Sequence, residues 1–572
     1  MSGLVGFLAA RPGGDDPLPA QLAAGRTGLQ VATSWRLGPL SLGVLDLPPV
    51  REPERSADGR FTLWFVGELF EPAPNLLERL LTAGFAAVTP KLDGEFQLAL
   101  WDARAERLTL ALDRFAGWPL YLAQGAAGVA FGGRVASVLA APGVSAEPDL
   151  EALREAVTFG GYRLGGRTLV RGVEMLPGAP VVTLEPGRAP DVRRAWRFGD
   201  LAPTGQDAPV AELVPELARR FERAVEKRLV GAERPGQTLS GGLDSRAILA
   251  AAAPRAPRFA TLTYGLPGCD DARYAAQAAR AANVPWSFLP LYGEHAGADW
   301  LERRRRFVLD TDGLIDLHDL GHLESIPRQT EILDVHLSGY IGDAVAGPTF
   351  HDVTTPEEVL AALPYLGGPL ALPWPEALAR TRELTADLGD APAYFALFEH
   401  KLPQSTNRWA TAFRPWFRVR KPFTDHDLFD FCLGLPPAVR GPGRLYEHFL
   451  ATRYPALFSR IPNQKTGVPV LASPFRHQVA RARRFALRRL GLARHRRAYT
   501  DDHAALAAPD VWPRVEATVL RPGSLAVEVF GRAAVAEVLT RFRDHGAGAV
   551  QTIGALWSFE IYWSHQGSDR SS

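Results

Sequence analysis

Between Thr238 and Arg246 the chain reads T-L-S-G-G-L-D-S-R, residue types that in this order can hold an anion. Gln237, Thr238 and Leu239 are β-prone, Ser240, Gly241 and Gly242 make a turn, and Asp244 and Ser245 open an apolar helical run from Ala247 to Ala253. A strand that turns through two glycines into a helix can accept unusual φ values and bring backbone N–H groups close to a ligand, and the helix dipole adds to the attraction. Ser240 and Ser245 contribute hydroxyl donors. Asp244 inside such a cradle requires a cation, and Mg²⁺ on a pyrophosphate meets that need. Read alone, S-G-G-x-D is also the composition of an ordinary tight turn. The chain has no G-x-x-x-x-G-K-S/T and no G-x-G-x-x-G opening a helix after a strand, so neither of those phosphate loops competes.

The elements that must position this loop follow from the pattern around it. An amphipathic helix is expected over Val210–Leu229, after a proline- and charge-rich connector at Phe198–Pro209. Strand and helix then alternate: strands at Arg258–Tyr264, Trp286–Leu289 and Ile332–Leu337, helices at Asp270–Asn283 and Ala298–Leu309. Such alternation predicts a parallel sheet covered by helices, with ligands beyond the carboxyl ends of its strands. That rule brings together three loops, Ser240–Ser245, Thr263–Asp271 and Ser338–Gly347. From Gly3 to about Trp196 the pattern changes to short alternating strands, among them Leu63–Val66, Glu95–Trp101 and Leu108–Leu112, which predict packed antiparallel sheets. A chain of 572 residues allows two to four domains at ~100–200 residues each. The expected division is 1–200 and 206–572.

Composition narrows the classes further. A formal net charge of +1 gives no global field for nucleic acid or a membrane surface, and neither is expected as a partner. No stretch approaches 18 apolar residues and the N-terminus lacks a basic n-region, so a cytoplasmic protein with no membrane span is expected. The two cysteines, Cys269 and Cys432, match no metal-ligand spacing and read as buried or semi-buried thiols in a reducing compartment. Only five lysines occur, Lys91, Lys227, Lys401, Lys421 and Lys465, in a chain whose default cation is arginine.

S-G-G-L-D-S resembles the pyrophosphate loop of the ATP pyrophosphatases that form acyl-adenylates, the asparagine synthetase family in particular. Further phrases carry the resemblance in order along the chain: Leu92-Asp93-Gly94-Glu95-Phe96, Asp113-Arg114-Phe115 with Pro119-Leu120-Tyr121, Arg167-Thr168-Leu169 with Leu176-Pro177-Gly178, Ser338–Gly347, Arg418–Asp425 and Ile461–Gly467. Gly554–Trp563 is similar to the family's terminal aromatic helix. The resemblance implies an N-terminal α+β sandwich of the Ntn-hydrolase type and a C-terminal α/β ATP-pyrophosphatase domain of the adenine nucleotide α-hydrolase kind with helical additions. It implies ATP and Mg²⁺, with the nucleotide and pyrophosphate on Leu239, Ser240, Gly241, Gly242, Asp244, Ser245, Thr263, Gly339 and Lys465. The metal falls to Asp244 and Asp343, and charge stabilisation during adenylation to Lys465.

Two departures from the family pattern matter. Glutamine-hydrolysing members place a cysteine directly after the initiator Met; here Ser2 stands there, followed by Gly3, and the N-terminal half is expected to be structural. Asparagine synthetases have a glutamate where this chain has Tyr340, whereas β-lactam synthetases use a tyrosine paired with a glutamate to deprotonate the amine. Tyr340 is therefore a candidate catalytic residue or an aromatic packing residue, and Glu399 is the nearby acid, though not at the family's spacing. These departures resemble the branch of β-lactam synthetases and lasso peptide cyclases. The segment Val353–Leu402 and the arginine-rich stretch Arg476–Tyr499, with nine arginines and no acid, fit a peptide substrate. The expected partners are a linear core peptide, a leader peptidase and a leader-binding protein. An ammonia-using synthetase, a β-lactam former and a non-catalytic scaffold stay open.

Overall fold

The computed structural model describes residues 3–11, 13, 15–203, 208–291, 298–315, 317, 323–363, 365–386, 388–389, 391–489, 499–545 and 549–568. Ser2 and residues 490–498 of the arginine-rich stretch lie outside them. Among the described residues the N-terminal half holds two six-stranded sheets, antiparallel wherever strands pair. One runs through Gly3–Ala9 with Leu40–Asp46 and Gly128–Gly132 on either side; the other is centred on Gly94–Asp102, flanked by Phe61–Leu69 and Arg107–Leu112. The period-two alternation of Leu108, Leu110 and Leu112 sends all three side chains inward. They join Leu4, Leu42, Trp64, Trp101 and Phe131 in one core between the sheets.

The C-terminal half is built on five parallel strands in the spatial order Trp286–Pro290, Ala260–Gly265, Pro235–Thr238, Val335–Leu337, Arg418–Arg420. Chain order reverses at Pro235–Thr238, so the crevice for a ligand opens at the carboxyl end of that strand. Helices form where the spacing predicts them, at Val210–Leu229, Leu243–Ala252, Asp270–Ala281 and Ala298–Asp310. The segment expected as a strand over Ile332–Leu337 divides: Ile326–Ile332 is helical and only Val335–Leu337 is a strand. Pro327 sits in the first turn of that helix, where a missing N–H costs nothing, and the short apolar run after it did not distinguish the two conformations. The strand Arg418–Arg420 has no apolar signature at all.

That strand is stable because the other half neutralises it. Arg418 pairs with Asp46 at 2.6 Å and Arg420 with Glu68 at 2.6 Å, both from the antiparallel sheets. Lys421 follows, fully buried, 3.2 Å from Glu95 and 2.6 Å from the Asn407 Oδ1 it donates to. Arg414 reaches the same Glu95 carboxylate, and Arg228 bridges Asp93 and Asp425. An aromatic cluster fills the space beside these pairs: Phe115, Trp196 and Phe198 from one half against Phe398 and Phe429 from the other. The halves share one core. Both cysteines are buried and free, and no helix among the described residues is long and apolar enough to cross a membrane.

Candidate active site

The strand Pro235–Thr238 delivers the chain to Leu239, whose N–H donates to the Leu262 carbonyl, continuing the ladder one residue past the strand. Ser240 to Gly242 then turn into the helix Leu243–Ala252. Ser240 Oγ lies 3.0 Å from Ser245 Oγ and accepts the Gly242 N–H, while the Gly241 N–H donates to Asp271 Oδ1 at 2.8 Å. Neither Gly241 nor Gly242 adopts a positive φ, contrary to the expectation for a Gly-Gly turn. What Gly241 needs is space: a Cβ there would meet Gln464 Cβ at 2.9 Å and the Tyr274 ring at 3.2 Å.

The second loop closes on the first. A Cβ on Gly339 would lie 3.1 Å from Asp244 Cβ, and one on Gly342 would lie 2.6 Å from Asp244 Cγ and 2.7 Å from the Phe423 ring. This closeness lets the Asp343 N–H donate to Asp244 Oδ2 at 3.1 Å, across 99 residues of chain. Tyr446 donates its hydroxyl to Asp244 Oδ1 at 2.8 Å, and Thr349 donates to Asp343 Oδ2. Burial, and then the charge of Asp343, push the Asp244 carboxyl up to about 7. Two adjacent carboxylates, one of them strained by the charge of the other, are a donor set that fits a hard divalent cation held partly by protein and partly by phosphate oxygens.

Lys465 reaches over this pair. Its Nζ is 3.8 Å from Asp343 Oδ2 and its side chain is exposed. The loop that carries it is fastened at two points: Gln464 N–H donates to the Gly241 carbonyl, and Arg246, the last residue of the motif, donates from the buried side to the Leu457 and Ile461 carbonyls. Gly241, Asp244, Asp343 and Lys465 thus come from three separate stretches of sequence into one site. Thr263 is close but turned to another task. Its hydroxyl donates to the Leu239 carbonyl at 2.7 Å and accepts the Trp286 indole N–H at 2.8 Å, tying neighbouring strand ends together. The Tyr340 ring packs against the second apolar core, in which helices of the C-terminal end meet Phe7, Tyr121 and Leu153 of the N-terminal half.

Glu399 is not brought into the site. Arg194 holds it at 2.9 Å, the Phe198 N–H donates to it at 3.3 Å, and it lines a cavity of about 640 Å³ between the halves with Arg167, Arg380 and His400. On the helix Phe395–Lys401, Lys401, two positions on, does not line that cavity. Spacing alone does not reveal Tyr446 and Thr349 as neighbours of the carboxylates or Gln464 as a neighbour of Gly241; each reaches the site by a different element. The Gly241–Asp271 bond gives the loop Thr263–Asp271 a definite partner.

The architecture is an antiparallel sandwich fused to a parallel sheet, with two acidic, glycine-containing loops meeting at the sheet's switch point. Residues 73–196 match the family model described as a glutamine amidotransferase domain and residues 216–412 the one described as asparagine synthase, together more than half of the chain. In sequence it is similar to "Asparagine synthetase [glutamine-hydrolyzing] 3" of Bacillus subtilis (strain 168), 29% identical over 162 residues, which are 28% of this chain and 26% of that protein. It is also similar to a "Putative asparagine synthetase [glutamine-hydrolyzing]" of Mycobacterium bovis, 28% identical over 317 residues, 46% of this chain and 48% of that protein. The chain spans less than half the length of either. A solved glutamine phosphoribosylpyrophosphate amidotransferase from B. subtilis, complexed with ADP and GMP, aligns over 52% of this chain and 67% of its own, at 11% identity and a TM-score of 0.22. The two family-model matches and these relatives support membership of the chain in the asparagine synthetase family. Asp244 and Asp343 lie inside the matched residues, Lys465 beyond them.

Proposed function

We propose that the protein is an ATP-dependent, AMP-forming amide ligase that closes a macrolactam in a linear peptide, as a lasso peptide cyclase does. The observation that carries the ligase reading is the meeting of Asp244, Asp343 and Lys465 at the switch point of the parallel sheet. An Asp or Glu side chain of the peptide attacks the α-phosphate of ATP, pyrophosphate leaves, and the peptide's N-terminal amine attacks the acyl-adenylate to release AMP. The amide forms with loss of one proton from the amine, and the peptide loses the mass of one water. Mg²⁺ on Asp244 and Asp343 would supply charge neutralisation for the departing pyrophosphate. Lys465, on a loop fastened to Gly241, stabilises negative charge on the α-phosphate. Ser240, Ser245 and the first turn of the helix Leu243–Ala252 hold the pyrophosphate, and Gly339 and Gly342 let the second loop close on it. Holding carboxylate and amine against one phosphate accounts for most of the rate.

Two features favour a peptide over a small acid with ammonia from the N-terminal half. Two motif residues of that half are held in ion pairs across the interface, Asp93 on Lys227 and Arg228 and Glu95 on Arg414 and Lys421. The side chain of Lys465 is 74% exposed, leaving the site open on that side to a large substrate. In this reading the protein works in the cytoplasm with a leader peptidase and a leader-binding protein, and residues 1–200 and 206–572 act as one body. The test is pyrophosphate release with Mg·ATP, comparing a linear core peptide with aspartate plus ammonia. Peptide-dependent release, with the peptide lighter by one water and the signal abolished by Asp244→Ala, is expected. Release with aspartate would make the enzyme a small-molecule amide synthetase, and silence with both would leave a scaffold.

A further inference from the structure

Lys401 closes the helix Phe395–Lys401, whose Glu399 and His400 face the cavity between the halves. Lys401 faces elsewhere. Its ammonium lies 5.0 Å above the Phe350 ring and within the field of Asp343, and it is half-buried with no hydrogen-bond acceptor or ion-pair partner among the described residues. An ammonium in that position has given up water without a carboxylate in return. Burial accordingly draws it below the ordinary lysine range, with Asp343 pulling the other way.

The turn beneath it is strained. Phe350 has φ +69, a left-handed conformation that is costly for a bulky side chain, and it packs edge-on against Phe398 of the Lys401 helix. The residue before it, Thr349, donates its hydroxyl to Asp343. One strained turn therefore sets two things at once: the orientation of the Asp343 carboxylate and the aromatic floor under Lys401. The other lysines of the interior are committed, Lys227 to Asp93 and Asp425 and Lys421 to Glu95 and Asn407. Asp343 is left flanked by two lysines, Lys465 on the exposed side and Lys401 on the buried side.

We infer that Lys401 is a ligand-binding residue of this site, its ammonium receiving an anionic oxygen of the bound reactants at the Asp343 end: either pyrophosphate or the carboxylate that is to be activated. This rests on reading the Asp244–Asp343 crevice as the pyrophosphate site. An ammonium suits the task because three rotatable donors converge on an oxygen without a fixed fork geometry. Glu399, two residues earlier, cannot share it, since Arg194 and the Phe198 N–H hold it in the opposite cavity.

The experiment compares wild type, Lys401→Met and Lys401→Arg in pyrophosphate release, with KM for ATP and for the peptide measured separately. At least a tenfold rise in KM for ATP, with weaker inhibition by pyrophosphate, is expected if pyrophosphate is the ligand. A tenfold rise in KM for the peptide alone is expected if it is the carboxylate, and Lys401→Arg recovers part of either loss. Lys401→Met should unfold at or above the wild-type temperature, because it removes a half-buried charge that has no ion-pair partner among the described residues, so a loss of binding cannot be a loss of fold. A second readout needs no turnover. With five lysines in the chain, ¹³C-lysine spectra of the whole protein resolve Lys401 as the signal missing from Lys401→Arg, and Mg·PPi, Mg·ATP and the peptide are each titrated in. Movement of that signal supports the inference even if no carboxylate is turned over, which would count against the ligase reading alone. An unmoved Lys401 signal while Lys465 shifts, with Lys401→Met kinetics within twofold of wild type, overturns it. No lysine signal responding to Mg·PPi or Mg·ATP overturns both.

Discussion

Asp244 is buried in a place where its ionised form is unwelcome, beside a second carboxylate. Burial, and then the charge of Asp343, push its carboxyl up to about 7 from an ordinary value of 3.8. Between those two values the folded protein holds a proton that the unfolded chain has released. This group therefore makes stability fall as pH rises from about 4 to about 7, and holds that cost constant above. Asp244→Asn should remove the cost. Without Mg²⁺ at pH 8 the variant should melt at or above wild type, measured by thermal unfolding, while its pyrophosphate release is lost. Adding Mg·PPi should raise the wild-type melting temperature and leave that of Asp244→Asn unchanged; equal responses would remove Asp244 from the cation site. Legibility at this scale was uneven. Asp244 and Asp343 stand out because an acid inside a glycine-rich turn needs a reason, but Tyr446 and Thr349 are ordinary residues in ordinary helical or turn sequence. Glu399 is near the expected position in the chain, but nearness says nothing about which side of its helix faces the site.

At the scale of elements, the site depends on loops that touch without side chains between them. Gly342→Ala puts a methyl group 2.6 Å from Asp244 Cγ and 2.7 Å from the Phe423 ring, so one loop must retreat. Overpacking of this kind costs ~1–3 kcal/mol, and the retreat separates the two carboxylates. Pyrophosphate release should fall at least tenfold in Gly342→Ala. Gly199→Ala, whose Cβ would find only ordinary contacts from 3.4 Å outward, should leave it within twofold. If both variants behaved alike, the closeness of the second loop would be irrelevant to activity. The amphipathic helix Val210–Leu229 was legible to its last residue because its period-3.6 stripe packs directly on the core, through Leu213, Leu217, Phe221 and Val225. The strand Arg418–Arg420 was not, because the carboxylates that make it tolerable lie hundreds of residues away.

In the molecule as a whole, the two halves are joined by charge as well as by the aromatic cluster. Glu95 is the acceptor for both Arg414 and Lys421, all three buried, and burial draws both cations below their ordinary range even with that carboxylate present. Glu95→Ala leaves two buried cations without their counter-charge, a change that costs ~3–5 kcal/mol in comparable pairs. Calorimetry should show a melting temperature several degrees lower and activity lost with it, because Lys421 and Pro422 lead directly into Phe423 beside Gly342. A wild-type melting temperature would mean that the pair contributes specificity and no stability.

The sequence by itself determined the components: a Gly-Gly loop with its acid, a second acidic loop, helix and strand periods, and the division between antiparallel and parallel patterns. These are local, since hydrophobic period and turn chemistry are written in neighbouring residues. Tertiary structure alone decided which acids meet and which side of a helix faces which cavity. It turned Glu399 away from the site and Lys401 toward Asp343, and it let a strand of arginines exist at all. Those outcomes depend on desolvation and on partners distant in the chain: a charge is tolerated or strained according to what the fold packs against it, and spacing along the chain does not carry that information.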